Sequence, residues 1–488
     1  MKLEHLIEEF ETEIEDKSMR KDITIQGIAD SSMDVEKDFV FVAIKGFNAD
    51  GHSFIEQAIQ RGACAVVGEE AISNSSIPYI RVENSRKALG VIANKFYGSP
   101  SKDKLLIGVT GTNGKTTTSY LLKHILEESG VSCSMIGTIQ NVINGEVTQC
   151  VNTTPNSLVL HELLSKSRDE VIIMEVSSHG LTQHRVEGLK FDYCLFTNLY
   201  HDHLDYHASM EEYFRAKSLL FDKLKAHGQA IVNTDSFWGE KLSARLQDKG
   251  KRPYTIDESE DSDLRLLNFN LENSTITVKD NNELIHICSP LSGVHNMYNV
   301  AMAYATAKHL KIAKERILKA IYEFTGVDGR FEVFQQDNGT TVVVDYAHTP
   351  DAIFHCLRTA RLCGAKRVLH VFGFRGDRDP TKRREMLSIT SELSDHYILT
   401  VDDLNTVSHK EMIETLKSLS DTFGNEKGAV VSDRTLAIKQ ALDQSESGDW
   451  IVITGKGHEK YQQNYDLPAE SDKDTIMYLN NMKKRLLE

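Results

Sequence analysis

The stretch Leu105-Leu-Ile-Gly-Val-Thr-Gly-Thr-Asn-Gly-Lys-Thr-Thr-Thr118 decides the fold of the central part of the chain. Its apolar half predicts a buried strand, and the apolar spacing from Thr116 to Ser129 predicts a helix. Glycines in the turn let backbone N–H groups approach phosphate oxygens, and the helix N-terminus favours negative charge. Lys115 is placed to reach the terminal phosphates, and Thr116 to hold a magnesium ion. The stretch therefore predicts a protein that uses a nucleoside triphosphate, although an ordinary strand-to-helix turn is the alternative.

Composition narrows the class of protein further. A length of 488 residues suggests about three domains, and a net charge of −15 argues against a nucleic-acid partner. No apolar run approaches the ~20 residues of a membrane span, and residues 1–10 resemble the start of a charged amphipathic helix rather than a signal peptide. Seven dispersed cysteines without a Cys-x-x-Cys pair predict reduced thiols. We expect a cytoplasmic monomer.

Strands and helices alternate along the chain, which predicts an α/β fold with three domains, 1–99, 100–329 and 330–488. The predicted strands of the first domain are Phe39–Ala43, Cys64–Val67 and Tyr79–Val82. Those of a central, doubly wound parallel sheet are Leu105–Val109, Val171–Met174, Cys194–Asn198 and Ala230–Asn233. An antiparallel hairpin is predicted at Thr275–Cys288. The predicted strands of the third domain, a Rossmann-like sheet, are Val342–Val344, Val368–Phe372, His396–Thr400 and Trp450–Thr454.

Polar residues follow two of the central strands. Glu175 comes at the end of an apolar strand, where ligands of open α/β sheets bind, and it is placed to ligate magnesium. The segment after the next strand is rich in histidine, but its spacing is not that of a helical zinc pair. We expect His201 and His207 to be surface residues. From the residues alone, Lys217 is also a surface lysine on a predicted helix.

Four Gly-rich or acidic turns follow strands of the second and third regions. They are Gly329–Glu332, Asp345–Asp351, Gly373–Asp379 and Gly455–Glu459. Each is compatible with ordinary turn chemistry, but four of them together predict a shared interdomain cleft. Asp345 is placed to accept ribose hydroxyls and Arg330 to reach a phosphate, and Pro350 opens a helix.

Taken in order, these motifs resemble those of the Mur ligases, and the resemblance extends over nearly the whole chain. The motifs that carry it are Phe41–Gly46 with Asp50–His52, Gly111–Thr117, Asn152–Pro155, Glu175–His179, Asp202–His207, Gly329–Glu332, Asp345–Asp351 and Gly455–Glu459. Within the family, the chain is most similar to ligases that add the third amino acid to UDP-MurNAc-L-Ala-D-Glu in peptidoglycan synthesis. The resemblance implies a uridine-binding first domain, an ATP-binding second domain and an amino-acid-binding third domain.

The resemblance also implies a reaction and a set of site residues. ATP would phosphorylate the substrate carboxylate, and the amine of an amino acid would displace phosphate, with Mg²⁺ as cofactor. The implied catalytic residues are Lys115, Glu175, His203 and Lys217, and the metal ligands are Thr116, Glu175, His203 and Lys217 as N6-carboxylysine. The implied ATP-binding residues are Gly111, Thr112, Asn113, Gly114, Lys115, Thr116, Thr117, Asn296, Asn299, Arg330 and Asp345. Those implied for the UDP-MurNAc-peptide are Ser31, Asn152, Thr153, Thr154, Ser177, Gln183 and Arg185.

The chain departs from the family pattern at loops that face the substrates. Members that add meso-diaminopimelate carry Asp-Asn-Pro-Arg where this chain has Asp402-Asp-Leu-Asn405, and the usual Gly-Cys-Gly-Gly-Asp-Arg is Gly373-Phe-Arg-Gly-Asp-Arg378. Asp30-Ser31-Ser32 and His201 are further departures. An acidic pocket without the arginine favours L-lysine or a similar cationic amino acid, with meso-diaminopimelate or a different acceptor as alternatives. The residues expected to bind the amino acid are Arg383, Asp402, Asp403, Asn405, Gly455 and Glu459.

Three other functions compete with this interpretation. A folylpolyglutamate synthetase shares the ATPase core but lacks the N-terminal domain that carries Phe41–His52. A nucleotide-dependent switch or binding module would need neither the motif at Asp345 nor a second Gly-rich region. A catalytically silent homologue is disfavoured because Lys115, Glu175, His203 and Lys217 are all present.

Overall fold

The computed structural model describes residues 1–8, 22–46, 49–72, 75–270 and 274–487. The chain divides into two compact units, each assembled from separate segments. The first unit comprises Met1–Thr110, Val131–Cys194 and Ala216–Gln229, and the second comprises Gly111–Gly130, Leu195–Arg215 and Ala230–Glu488. The domain boundaries expected near residues 99 and 329 stay predictions. The amphipathic start expected for residues 1–10 lies partly outside the described residues.

The N-terminal part of the first unit is a small parallel α/β layer, as predicted. Four parallel strands lie in the order β1-β2-β3-β4. They span Gly27–Ala29, Phe39–Val42, Ala63–Gly68 and Tyr79–Arg81. The helices are α1 (Leu3–Ile7), α2 (Ile55–Gln60) and α3 (Ser85–Phe96). The apolar side chains of β2 alternate between two cores, with Val40 and Val42 in one and Phe41 in the other, so the sheet is covered on both faces.

The central sheet has eleven strands in the order β15-β14-β13-β12-β11-β10-β5-β9-β6-β7-β8. Strands β5 to β10 span Leu105–Thr110, Cys133–Ile136, Gln140–Ile143, Glu146–Gln149, Val171–Glu175 and Phe191–Phe196. Strands β11 to β15 span Leu224–Asn233, Tyr254–Asp257, Leu264–Asn270, Thr275–Asp280 and Glu283–Cys288. Helices α4 to α10 span Lys115–Glu128, Ser157–Lys166, Ser178–Thr182, Met210–Asp222, Phe237–Asp248, Val294–His309 and Lys314–Glu323.

Parallel pairing in this sheet confirms the doubly wound fold. Strand β9 pairs in parallel with both β5 and β6, and β12 pairs in parallel with β11 and β13. The predicted hairpin at Thr275–Cys288 is confirmed as the antiparallel pair β14–β15. The sequence analysis did not find the antiparallel strands β7 and β8, because β8 is exposed along its whole length and β7 begins with the polar residues Gln140 and Asn141, so neither has an apolar pattern.

The C-terminal sheet confirms the Rossmann-like prediction. Its six strands lie in the order β16-β17-β21-β18-β19-β20, and all but the edge strand β16 pair in parallel. They span Glu332–Gln335, Thr341–Asp345, Val368–Phe374, His396–Val401, Gly428–Val430 and Trp450–Thr454 for β16 to β21. Helices α11 to α15 span Pro350–Leu362, Lys382–Leu393, His409–Phe423, Arg434–Gln444 and Asp472–Leu487. Every residue of β18 is buried, as expected of a strand covered on both faces.

Two further findings concern the chain as a whole. All seven cysteines are described and are free thiols, and Cys288 at the end of β15 is the exposed one. Burial raises the pKa of Cys64 and of Cys150 to about 11. Among the described helices, none combines the length and the apolar character needed to cross a membrane.

Candidate functional site

The turn between β5 and α4 forms a braced loop in the second unit. Gly111 has φ 152° and Gly114 has φ 83°, conformations that L side chains rarely adopt. The loop is held by the segment that follows β10: Asn113 N donates to Asn198 Oδ1 at 2.9 Å, and Thr197 Oγ1 donates to the Asn113 carbonyl at 2.6 Å. These contacts fix the loop before any ligand binds, so its backbone N–H groups are preorganised for an anion at the start of α4.

Lys115 and Thr116 open α4 next to this loop. The Lys115 ammonium donates to the carbonyls of Gly111 and Thr112, both at 2.9 Å, so the lysine folds back over the turn. Arg330 Nη2 lies 3.4 Å from Thr116 Oγ1. Two cations therefore border the loop Gly111–Thr116, which we call the phosphate cradle.

The helix α9 supplies the polar residues behind the cradle. Asn299 Nδ2 donates to Asn296 Oδ1 at 3.1 Å, and Thr118 Oγ1 donates to Asn299 Oδ1 at 3.4 Å. A Cβ at Gly114 would come 2.3 Å from Asn299 Oδ1, so only glycine fits there. Both asparagines are buried, as is Thr117. The structure thus brings the expected asparagines to the loop, and the position of Asn299 also explains why residue 114 is a glycine.

The four turns expected to share a cleft meet at one edge of the C-terminal sheet. Asp345 accepts from the backbone N–H groups of Phe331 and Ala347, each at 2.6 Å, and Gly455 N donates to the Asp345 carbonyl at 3.2 Å. Burial raises the pKa of Asp345, although the nearby Arg330 acts against the shift. Thr349 caps α11 and Pro350 occupies its first turn, as predicted.

A mixed-charge cluster lies at the same edge of the sheet. We define it as Arg375, Asp402, Asp403, Arg434, Lys456 and Glu459. Lys456 donates to Asp403 at 2.6 Å, and Arg375 donates to Glu459 and, at 2.9 Å, to the Gly455 carbonyl. Arg434 donates twice to Asp472, at 2.6 and 2.7 Å.

The acids that were expected to receive a free ammonium group are therefore already near cations. Burial alone would raise the pKa of Asp402, but Arg375, Arg434 and Lys456 outweigh it and hold that pKa below its ordinary value. Burial and the neighbouring Asp402 raise the pKa of Asp403 despite its bond to Lys456. The pocket is consequently not the open acidic site that the sequence suggested, because its positive charges come from residues that the sequence analysis had not assigned to it.

Two loops carry this cluster and are joined along their length. Gly376 N donates to the Asp403 carbonyl at 2.8 Å, and Asn405 Nδ2 donates to the Gly376 carbonyl at 2.6 Å. A Cβ at Gly376 would lie 2.0 Å from the Leu404 carbonyl oxygen, and one at Gly373 would lie 2.4 Å from the Thr400 carbonyl oxygen. Both glycines are thus required by the close approach of the loops. Arg383 also reaches this segment, donating to the Arg375 carbonyl at 3.3 Å.

Four of the residues expected to bind the muramoyl-peptide, Thr154, Ser177, Gln183 and Arg185, form a network in the first unit. Thr154 Oγ1 donates to the Glu175 carbonyl at 2.9 Å and accepts from Ser177 N at 3.0 Å. Arg185 donates to the Thr154 carbonyl at 2.7 Å and to Gln183 Oε1 at 2.9 Å. Thr153 lies beside this network, whereas Asn152 is exposed and Ser31 caps a short turn by accepting from Met33 N at 3.3 Å.

Glu175 is fully buried in the first unit. Its carboxylate accepts from Thr138 Oγ1 at 2.7 Å and from Thr138 N at 3.1 Å. A Cβ at Gly137 would lie 2.3 Å from Glu175 Oε1. The sequence analysis missed Gly137 and Thr138 because it did not find β6, the strand that they follow.

Two expectations about surface residues, those for His207 and Lys217, were wrong, and His201 is partly exposed as expected. His207 is buried and stacks on Tyr213 with ring centroids 5.1 Å apart. His201 is half-buried and contacts Asp379, with Nε2 3.2 Å from Oδ2. Lys217 is 2% exposed on α7. A burial of that degree is rare for lysine and excludes a solvated side chain, and the functional role that the resemblance implied for Lys217 stays a prediction.

His203 lies between His201 and His207 in the chain and adopts a left-handed backbone conformation with φ 55°. Its Nε2 is 3.4 Å from Asp202 Oδ2. Asp202 is buried and also accepts from Lys382 at 3.0 Å. Burial alone would raise the pKa of Asp202, but His203, His348 and Lys382 together hold it well below its ordinary value. A charged aspartate thus lies beside the predicted metal-binding histidine.

Comparison with known proteins decides the family. Three family profiles match in chain order: "Mur ligase family, catalytic domain" at residues 24–97, "Mur ligase middle domain" at residues 109–307, and "Mur ligase, glutamate ligase domain" at residues 329–457. A UDP-N-acetylmuramoyl-L-alanyl-D-glutamate--2,6-diaminopimelate ligase from Fusobacterium nucleatum is 39% identical, with 91% of each chain covered. The chain belongs to the Mur ligase family.

Other members support the same assignment. The ligase of the same name from Aquifex aeolicus is 39% identical, with 90% of each chain covered. A solved structure with this name has a TM-score of 0.67 and 26% identity, and covers 94% of this chain and 95% of its own. The Mur ligase is thus an ATP-dependent enzyme that forms carbon–nitrogen bonds in peptidoglycan synthesis. The match at residues 24–97 includes the N-terminal motif that argued against a folylpolyglutamate synthetase.

Proposed function

We propose that this Mur ligase adds meso-diaminopimelate to the D-glutamyl residue of UDP-MurNAc-L-Ala-D-Glu, with cleavage of ATP to ADP and phosphate. The observation that carries the proposal is a continuous path in the second unit from the phosphate cradle to the mixed-charge cluster. Arg330 contacts Thr116 and lies over the Tyr346 ring at 4.3 Å, and Arg375 lies over the same ring at 5.1 Å. A phosphate and an amino acid bound at these two places would be neighbours.

The choice of amino acid rests on charge. L-lysine, favoured by the sequence, ends in an ammonium group alone, whereas the far end of meso-diaminopimelate carries an ammonium group and a carboxylate. The mixed-charge cluster pairs its acids with cations, which suits the second compound better. The names of the relatives support the same choice.

The reaction would proceed in two displacements. The substrate carboxylate attacks the γ-phosphorus of ATP, the bond to the β–γ bridging oxygen breaks, and ADP leaves. The amine then attacks the acyl phosphate, loses a proton and expels phosphate as the amide bond forms. Lys115, the backbone N–H groups at the start of α4 and Arg330 would stabilise negative charge on the transferred phosphoryl group.

Mg²⁺ fits the chemistry of the donors assigned to it. Thr116, Glu175 and a carbamylated Lys217 would offer oxygen ligands, which this ion prefers, and His203 would add one nitrogen. When bound, the ion would neutralise phosphate charge. The muramoyl-peptide would be held by the network around Thr154 in the first unit. These roles, the monomeric state and the cytoplasmic location stay predictions.

A phosphate-release screen tests the proposal. The enzyme is supplied with ATP, Mg²⁺ and UDP-MurNAc-L-Ala-D-Glu, and each common amino acid or meso-diaminopimelate is added in turn. We expect meso-diaminopimelate to give the fastest release, and mass spectrometry to show the corresponding UDP-linked tripeptide. Release without any dependence on the UDP-sugar would contradict the acceptor, and a clear preference for L-lysine would contradict the amino acid.

A further inference from the structure

A hydrogen bond between two side chains joins the N-terminal layer of the first unit, which contains β1 to β4, to the start of α5. Asn156 Nδ2 donates to Asp30 Oδ2 at 2.9 Å, although the two residues are 126 positions apart in the chain. Asp30 directly follows β1, and Asn156 directly precedes α5. The bond therefore fixes the distance between two loops that belong to different parts of the first unit.

Each of these two loops carries a predicted part of the substrate site. Asp30 is followed by Ser31, the residue that the resemblance assigned to the substrate in the predicted uridine-binding domain. Asn156 lies two residues after Thr154, whose hydroxyl contacts Ser177 Oγ at 3.3 Å in the network expected to hold the muramoyl-peptide. The bond thus lies between the residues predicted for the two ends of UDP-MurNAc-L-Ala-D-Glu.

A second junction holds the N-terminal layer in place. Helix α3 packs against α5, and a Cβ at Gly90 of α3 would lie 2.6 Å from Glu187 Cβ. A Cβ at Gly188 would likewise lie 2.8 Å from Asn94 Cβ, and the His161 ring on α5 contacts the Glu187 carbonyl at 2.9 Å. Packing this close leaves little room for one part to slide over the other. The bond to Asp30 can therefore set a fixed spacing.

The Asn156 side chain binds both loops at once. Its Oδ1 accepts from Val159 N at 2.9 Å and caps α5, while its Nδ2 binds Asp30. Burial raises the pKa of Asp30, and the hydrogen bond from Asn156 acts against that shift. An aspartate would cap the helix as well but has no donor when ionised, and a serine would cap it but is too short to reach Asp30 also. The amide is thus matched to this position.

We infer that the bond between Asn156 and Asp30 positions the UDP-MurNAc-peptide, because it sets the spacing between the uridine end and the peptide end of the site. This inference rests on the proposed function. Binding energy from the remote uridine end would in this way help to orient the D-glutamyl carboxylate that reacts. Asn156 is a positioning residue, since it acts through the two loops and takes no part in the reaction.

Two substitutions that keep the helix cap test the bond. We expect KM for UDP-MurNAc-L-Ala-D-Glu to rise about three- to tenfold in Asn156→Ser, which loses the donor. The rise should be larger in Asn156→Asp, where two carboxylates face each other. KM for ATP and for meso-diaminopimelate should not change, because the residues predicted for those substrates lie in the second unit. Phosphate release with the other two substrates saturating measures each constant.

An exchange of the two side chains is the decisive variant. In the double variant Asp30→Asn, Asn156→Asp the amide is on residue 30 and the carboxylate on residue 156, so the hydrogen bond can form in the reverse direction. We expect KM for the UDP-linked substrate to return to within about twofold of the wild-type value. Asp30→Asn alone keeps an acceptor oxygen for Asn156 and should change KM little. A double variant no better than Asn156→Asp would overturn the inference.

The matched control is another asparagine that caps a helix of the first unit. Asn84 accepts from Lys87 N at 2.9 Å and caps α3, so Asn84→Ser should leave all three KM values unchanged. Thermal unfolding of each variant measures the fold independently of activity. An equal rise of all three KM values in Asn156→Ser would overturn the inference and leave the ligase assignment intact. A wild-type enzyme that releases no phosphate with UDP-MurNAc-L-Ala-D-Glu would instead overturn the proposed function.

Discussion

The phosphate cradle and the mixed-charge cluster solve the problem of binding a charged group in opposite ways. The cradle uses main-chain N–H groups on a turn that only glycine can form at Gly111 and Gly114, with Lys115 close by. The cluster uses side chains whose charges are paired with one another across two loops. A main-chain site admits little variation, whereas a side-chain site can be altered by one substitution. The residues that would bind the phosphate thus lie on a turn fixed by glycine, whereas those that would select the amino acid are side chains on two other loops.

The sharpest test of the cradle is Lys115→Met. We expect ligase activity to fall about 10³- to 10⁵-fold, as when other phosphoryl-transfer enzymes lose a cation at the transferred group. Because Lys115 is a half-buried side chain at the helix start, the melting temperature should change little. Phosphate release measures the first effect and calorimetry the second. Retention of more than a tenth of the activity would show that the cradle acts without its lysine.

The cluster should respond to Lys456→Met mainly through stability. Removal of the ammonium leaves Asp403 buried without its hydrogen-bonded cation, which costs about 3–5 kcal/mol. Because the pKa of Asp403 is already raised, the variant should take up a proton there and regain part of this loss at low pH. Urea unfolding at two pH values measures both effects.

The matched control for that substitution is Lys460→Met, four residues further along the chain. Lys460 pairs with Glu470 on the surface, and both side chains are at least 70% exposed. Its removal should leave the unfolding midpoint unchanged within error. If the ion pair between Lys456 and Asp403 stabilises the fold, the double variant Lys456→Met, Asp403→Asn should be more stable than Lys456→Met alone. Equal midpoints for the two lysine variants would show that the buried pair contributes nothing.

A pair of glycines tests the rigidity of the cradle. Gly114→Ala and Gly130→Ala both place a Cβ at a positive φ, 83° and 82°, at the two ends of α4. The first Cβ would meet Asn299 Oδ1 at 2.3 Å, whereas the second meets no described atom within 4 Å. We expect Gly130→Ala to cost about 1 kcal/mol of stability from backbone strain. Gly114→Ala should cost roughly 1–2 kcal/mol more, from the clash, and should weaken ATP binding measured by calorimetry.

The sequence predicted the cradle well because every signal for it is local. The apolar strand, the glycine turn and the amphipathic helix follow one another between residues 105 and 128, and the structure has them there. Most of the longer parallel strands of both large sheets were found for the same reason, since each is a buried apolar run, but the short parallel strands β6, β12 and β20 were missed.

The cluster could not be predicted in this way because it is assembled from residues far apart in sequence. Arg375 departs from the family glycine, and the sequence analysis noted the change without assigning it a role. Its partner Glu459 is 84 residues away, and only the pairing of β18 with β21 brings the two strand ends together. The predictions that Lys217 and His207 lie on the surface failed for a related reason, because a polar residue type does not reveal whether the side chain is buried.

The distribution of thiols has a practical consequence for experiments on this enzyme. Cys64 and Cys150 are protonated at neutral pH, because burial keeps their pKa near 11, and a thiol reacts with maleimides only as the thiolate. Cys288 is exposed at the end of the β14–β15 hairpin. Burial also raises the pKa of the half-buried Cys363. A fluorophore or a surface linker should therefore react first at Cys288, the exposed thiol.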